Sequence, residues 1–464
     1  MRIVLADLKA SDGLVNKDTV AGGYGSRMKP FSRSTNFYCR FKKRFHSHQS
    51  IQMAYLAAIF ADAGHDVQWT DDKILDGDVA VVLSSLVDYR RETEWADTAR
   101  RRGLKVGFIG LAASKIPQLF AHHADFLVSG EPEAAIGRLA RGEKLSGLCL
   151  SPAIPDLDSI PFPRWDLLSE NRKTGLWGGG LRPLGGGIPV LTSRSCPEFC
   201  TYCPHRILSA YRARSIRNVV DELSNLCQQF RRPYVVFRDP LFTQQRDRCL
   251  ELCEAIQSKG LDLRFECETR LDRLDEVLLD RMQAAGLKMI TFGVEAVSDQ
   301  TLRKAGRRPI PECHQQSVIA SCNDRGIATV AYYVFGFLQD TWETISATID
   351  YAISLRSTFA QFKLLTPYPA TPLWKQMQHL IYEQNFENFD GYTPTFLHPN
   401  LSADQLTFLL GAAYARFYCR PSWLGNYLCI QEEPWRRWIH LLDNRVISVH
   451  ERKEMLRMSR TVTC

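Results

Sequence analysis

Ser195-Cys196-Pro197-Glu198-Phe199-Cys200-Thr201-Tyr202-Cys203-Pro204-His205 puts three cysteines in one short loop, separated by three and two residues. That spacing lets three thiolates wrap a single inorganic centre. Three ligands on a four-iron cluster leave one iron open, which makes a reaction site rather than a staple. The competing reading is a zinc site completed by His205. Structural zinc usually draws its ligands from two separated segments, whereas here all four would come from one.

The loop follows Ile188–Thr192, an apolar run of strand type. Strand patterns recur at Tyr234–Phe237, Leu263–Cys267, Met289–Phe292, Thr329–Phe335 and Gln361–Leu365, separated by helical patterns such as Val219–Phe230 and Arg246–Ser258. Six successive β/α units predict a partial, TIM-like (β/α)6 barrel over residues 188–373, with its site at the carboxyl ends of the strands. The cysteine loop leaves the first strand at that end.

Upstream, residues 1–150 alternate strands (Arg2–Ala6, Val67–Trp69, Val79–Leu83, Lys105–Ile109, Asp125–Val128) with helical segments. This predicts a doubly wound, Rossmann-like α/β domain. Ser50–Ala63 reads as a helix with Ser50 as N-cap and Ile51, Tyr55, Leu56 and Ile59 near one face. Between the first strand and this helix lie about forty residues without periodicity, long for a compact domain. They hold Gly22-Gly23-Tyr24-Gly25-Ser26-Arg27, and their bases (Lys17, Arg27, Lys29, Arg33, Arg40, Lys42, Lys43, Arg44) outnumber Asp12 and Asp18. The expectation is a cap over a polar or anionic ligand.

Residues 151–187 read as a linker, with Pro152, Pro155, Pro161 and Pro163 followed by seven glycines in Gly175–Gly187. Residues 374–464 are helical and aromatic-rich in pattern, through Leu401–Tyr418 and Trp435–Leu442, with a frayed end at Glu451–Cys464.

The 464 residues are 45% hydrophobic and carry a net charge of +7, values of an ordinary globular protein. The charge is mild for the length and implies no nucleic-acid partner. No run reaches membrane-spanning length, and no signal-peptide pattern opens the chain, which predicts a cytoplasmic protein. Most of the 14 cysteines are dispersed and read as reduced thiols. Cys249 and Cys253 share a helix face and read as packing.

A C-x3-C-x2-C loop after a barrel strand resembles the radical SAM superfamily, over roughly Ile188–Leu373. The resemblance implies a [4Fe–4S] cluster on Cys196, Cys200 and Cys203. Its open iron chelates S-adenosylmethionine (SAM), and one electron from an external flavodoxin- or ferredoxin-type reductant yields a 5′-deoxyadenosyl radical. Tyr202 stands where the family contacts adenine. Phe237-Arg238-Asp239-Pro240 ends the second strand, with Pro240 where relatives often carry a second acid. Glu268 and Arg270 end the third, where the family binds ribose hydroxyls and the methionine carboxylate. Gly293-Val294-Glu295-Ala296 ends the fourth and Phe335-Gly336-Phe337 the fifth, where Gly336 lets adenine approach. Arg214 is a candidate for the SAM carboxylate. Asp239, Glu268 and Glu295 are the candidate proton carriers.

The α/β domain, the Pro-rich linker, Gly130-Glu131-Pro132-Glu133 and the tail Phe417-Tyr418-Cys419-Arg420-Pro421 extend the resemblance to radical SAM enzymes with a cobalamin-binding domain. One departure stands out. The D-x-H-x-x-G motif that supplies an axial histidine to cobalt is missing, and neither His46 nor His48 has that context. The resemblance implies cobalamin-dependent methyl transfer to an unactivated carbon of a small molecule. The alternatives are radical elimination, ring closure or rearrangement with a vestigial cobalamin domain and, from another class, an iron–sulfur electron carrier or binding module.

Overall fold

A computed structural model describes residues 1–9, 14–17, 23–30, 36, 39, 50–167, 187–230, 232–420 and 423. The bases Arg33, Arg40, Lys42, Lys43 and Arg44, the histidines His46 and His48, most of the glycine-rich stretch, Pro421 and the expected helix Trp435–Leu442 lie outside them.

Two six-stranded parallel sheets organise the chain. In space the first runs Asp66–Thr70, Arg2–Ala6, Val79–Leu83, Lys105–Ile109, Phe126–Gly130, Gly147–Ser151. The order reverses beside Arg2–Ala6, the doubly wound arrangement that places ligands beyond the carboxyl ends of the strands. In the second, Ile188–Val190, Tyr234–Phe237, Arg264–Thr269, Leu287–Glu295, Ala328–Phe335 and Phe359–Leu364 follow one another in chain order, as in an open partial barrel.

The edge strand Gly147–Ser151 escapes the sequence pattern because its apolar residues face outward: Leu148 and Leu150 are 55% and 72% exposed. The loop read as aperiodic contains a small hairpin, Leu14–Asn16 against Ser26–Met28.

Helix Ile51–Asp62 is capped by the Ser50 side chain, which accepts from Met53 N at 3.3 Å. It buries nearly its whole circumference rather than one face, Gln52 included. The helix is covered from both sides. Arg164 of the linker donates to Ala54 O, and the Arg194 guanidinium of the barrel lies 5.4 Å from the Tyr55 ring centroid. One apolar core accordingly runs from this helix through Leu157, Ile160 and Trp165 of the linker into the barrel. Cys249 and Cys253 are buried in that core, as packing.

The carboxyl edges of the two sheets meet. The Tyr24 ring stacks on Tyr368 at 5.5 Å, and its hydroxyl donates to Pro369 O at 2.6 Å. Lys17 and Arg27 of the basic loop are buried in ion pairs: Lys17 with Glu92 (2.7 Å) and Asp88 (3.3 Å), and Arg27 with Asp88. These two bases therefore anchor the loop over the switch point instead of reaching for an anionic ligand.

Candidate active site

The three cysteines ride on a two-stranded stem, Ser193–Arg194 paired antiparallel with Arg212–Ala213. The stem turns into the loop at Ser195, whose φ of 66° is the left-handed region that side chains with a Cβ avoid. Its hydroxyl donates to Ser209 O at 2.8 Å, closing the loop's base. Cys196, Cys200 and Cys203 are half-buried. Burial pushes the Cys203 thiol up to about 12 and raises that of Cys196. A bare thiolate is costly there, and a metal that takes the place of the proton relieves the cost.

Among the described residues, no three His, Cys, Asp or Glu side chains converge on a single-ion site. His205 does not join the three cysteines in such a group. His205 instead lies within the fields of Glu268 and Arg238, and burial lowers its pKa. An iron–sulfur cube binds each thiolate at a different iron and needs no such convergence.

Asp239 corrects an expectation. It is fully buried and accepts from Thr192 N (3.1 Å), Thr192 Oγ1 (2.8 Å) and Ser193 Oγ (2.5 Å). With its oxygens committed, it straps down the strand entering the cysteine loop and is not placed to carry a proton. Arg214 is a second correction. Its guanidinium is spent on Leu191 O (2.7 Å), Asn218 Oδ1 (2.7 Å) and Glu222, turned into the core beside the linker. It does not face the loop's open side.

The other candidates gather at the strand ends. Glu268 pairs with Arg238 at 2.6 Å and stays partly exposed. Arg270 is held in a fork by Asp272 (2.9 and 3.0 Å) and donates to Arg308 O, and its buried Nη1 has no partner. A buried guanidinium with one free donor suits a carboxylate. Glu295, at φ 66°, has its carboxyl raised by burial, opposed by Arg307 at 3.7 Å and by a hydrogen bond from Tyr202. Tyr202 packs edge-on against Phe337, with centroids 5.8 Å apart. Gly336 adopts φ 90°, and both its N–H and that of Phe337 donate to one oxygen of Asp340, at 2.9 and 3.0 Å.

Three groups of functional residues are not evident from sequence. Arg307 lies between Glu295 and Cys200, with Nη1 at 3.9 Å from the Cys200 sulfur. Asp340 anchors the Gly336 turn. Glu131 and Glu133, noted only as part of a motif, hold the cysteine stem: Glu131 binds Arg194 (3.1 Å), Arg212 and Ser209 (2.7 Å), and Glu133 binds Arg194 at 2.8 Å. The sequence signal for these two is the Gly130-Glu131-Pro132-Glu133 motif, whose first acid directly follows a strand.

Residues 190–352 match the radical SAM superfamily. This stretch is a radical SAM domain. The matched region contains four of the six barrel strands whole, the last residue of the first strand and all three cysteines. A [4Fe–4S] cluster and SAM are the cofactors of that family, and the three half-buried thiols and the free Arg270 donor fit them.

An uncharacterised methyltransferase of Pyrococcus horikoshii is 28% identical over 324 residues, which cover 64% of this chain and 68% of that protein. The anaerobic magnesium-protoporphyrin IX monomethyl ester cyclase of Cereibacter sphaeroides is 26% identical over 301 residues; the match spans 47% of the cyclase. Among solved structures, the cobalamin-dependent radical SAM enzyme OxsB with aqua-cobalamin and SAM bound superimposes with a TM-score of 0.66 at 12% identity, covering 99% of this chain and 83% of that one. The radical SAM methyltransferase TsrM from Kitasatospora setae, with cobalamin and a [4Fe–4S] cluster bound, gives a TM-score of 0.57 at 17% identity, covering 82% and 78%. The fold of this radical SAM enzyme, N-terminal sheet included, is thus that of the cobalamin-dependent members. No helix among the described residues is long and apolar enough to cross a membrane.

Proposed function

We propose that this enzyme transfers a methyl group to an unactivated carbon of a small molecule, with cobalamin held on the N-terminal sheet. The observation that carries this reading is the meeting of the two sheet edges through Glu131, Arg194 and Arg212 and through Tyr24 and Tyr368. A planar cofactor laid on the first edge would look into the barrel. Three adjacent strands, Val79–Leu83, Lys105–Ile109 and Phe126–Gly130, end side by side at that edge. Two histidines of this domain are engaged elsewhere: His65 with Ala140 O and His123 with Asp97.

When bound, the cluster with SAM supplies a 5′-deoxyadenosyl radical and cobalamin supplies the methyl group. Cys196, Cys200 and Cys203 hold the cluster. Arg270 orients the methionine carboxylate through its free Nη1. Glu268, fixed by Arg238, receives the ribose hydroxyls. The Gly336–Phe337 turn and Tyr202 wall the adenine side and exclude water. Glu295, raised by burial, and Glu268 are the side chains placed to hold or move a proton. Asp239 positions the loop.

Protein reconstituted with iron, sulfide and hydroxocobalamin and passed through gel filtration should retain the corrinoid, and SAM with a deuterated methyl group should label the product. Loss of all corrinoid would sink methyl transfer. A second reading, radical ring closure, draws on the likeness to the cyclase. It predicts a product without the label.

A further inference from the structure

We infer that Arg307 tunes the reduction potential of the cluster by donating an N–H to the sulfur of one of its ligands, Cys200. This rests on the reading of the cysteine loop as the cluster site. Arg307 Nη1 stands 3.9 Å from the Cys200 sulfur, and Nη2 donates to Gly293 O. Glu295 Oε1 lies 3.7 Å from the same Nη1. The Arg307 side chain is 11% exposed, and an arginine keeps its charge in a protein interior. Arg206, at the loop's end, is turned elsewhere: it lies over the Phe199 ring at 3.6 Å and donates to Glu198 O at 3.2 Å.

Backbone contacts fix this donor. The segment after helix Asp299–Lys304 lies on the cysteine loop: Thr201 N donates to Ala305 O at 2.9 Å, and Thr201 Oγ1 to the same oxygen at 3.3 Å. Gly306 follows at φ 71°, where a Cβ would stand 2.4 Å from Phe199 O. The segment reaches the loop so closely because it has no side chain there, and the next residue, Arg307, meets Cys200. Gly293 makes room on the other side. A Cβ on it would stand 3.0 Å from Arg307 Nη2 and 2.0 Å from Glu295 Oε1. When one electron enters a cluster, no bond forms or breaks, and the added negative charge is shared with the ligand sulfurs. A buried cation that donates to one of those sulfurs stabilises the reduced form more than the oxidised one, which raises the potential.

The test is an anaerobic dithionite titration of full-length protein carrying a reconstituted cluster, without SAM, read by the paramagnetic resonance signal of the reduced cluster. Iron per chain is measured in every sample, so that full clusters are compared. R307Q removes the charge and should lower the midpoint potential by about 59 mV, a tenfold change in the one-electron equilibrium constant. R307K keeps the charge but cannot serve Gly293 O and the sulfur from one planar fork, and its midpoint should fall between the two. R308Q removes the same charge one residue further on, from a side chain 67% exposed, and should titrate as the parent does. Equal midpoints for the parent and R307Q would overturn the inference, as would a shift in R308Q as large as that in R307Q. Where R307Q holds too little iron to titrate, R307K decides, and a midpoint equal to the parent's overturns the inference. A parent protein that takes up no cluster would overturn the cluster reading as well, whereas equal midpoints at full iron would remove the role of Arg307 alone.

Discussion

Arg194 and Arg212 are direct partners across the antiparallel stem that carries the three cysteines, and one carboxylate from the other sheet, Glu131, binds both. Glu131 is 1% exposed and follows Gly130, whose φ of 111° and close approach to Ser151 O exclude a side chain. The geometry of the cluster loop is therefore set partly by the N-terminal sheet.

Replacing Glu131 with Ala leaves the buried Arg194 and the partly buried Arg212 each short of a partner, a defect that costs about 3–5 kcal/mol when a buried pair is broken. E131A should lower the urea midpoint and reduce the iron retained per chain after reconstitution. E131Q, which keeps part of the hydrogen bonding, should lose less of both. Burial alone would raise this carboxyl, but Arg194, Arg212 and Ser209 hold it below the ordinary carboxylate value. A depressed folded-state pKa contributes stability above the unfolded value that is lost as pH falls through the folded one. The stability gap between wild type and E131Q should therefore close in acid, as read by urea melts from pH 7 downward.

Asp340 behaves with the opposite sign. Burial raises it to about 6, against the pull of the Gly336 and Phe337 N–H groups. A carboxyl raised in the folded state contributes stability at low pH that is lost as pH rises through the folded value. Wild type should gain stability relative to D340N as pH drops from 7 to 5. Both N–H groups use one oxygen, so an Asn carbonyl can replace it. D340N should bind SAM nearly as wild type does, whereas D340A, which leaves two N–H groups unmet, should destabilise by about 1–3 kcal/mol and raise the Kd for SAM.

Arg270 offers its one free donor from a fixed fork. R270K keeps the charge but loses that geometry, and should weaken SAM binding about tenfold by equilibrium dialysis, with iron content unchanged. Equal affinity would remove Arg270 from the SAM site.

Asp239 should affect the loop rather than the chemistry. D239N replaces an acceptor of three hydrogen bonds by a group with one oxygen. It should lower iron retention and thermal stability together, while any variant molecules that keep a cluster cleave SAM at the normal rate. A loss of SAM cleavage at full iron content would restore Asp239 as a proton carrier.

Much of this was legible in the sequence because cysteine spacing and strand periodicity are local. Tyr234–Phe237 and Val79–Leu83 were read to the residue, since buried parallel strands are apolar throughout. Gly147–Ser151 was not, because an edge strand with Leu148 and Leu150 outward carries no inward pattern. Charges were the least legible. Lys17 and Arg27 read as ligand-binding bases, yet each is consumed by a carboxylate distant in sequence, and Arg214 is consumed by Glu222 on the helix that follows it. Nothing local distinguishes Arg307 from Arg308, which is exposed. Only the tertiary path that brings it beside Cys200 separates the two.

The most direct test of the central claim is anaerobic SAM cleavage by the reconstituted, reduced protein, with 5′-deoxyadenosine measured for wild type and for C200A. The account predicts 5′-deoxyadenosine and iron–sulfur absorption from wild type and neither from C200A. Failure of the wild type to form 5′-deoxyadenosine while carrying a full cluster, or persistence of the product in C200A, would contradict it.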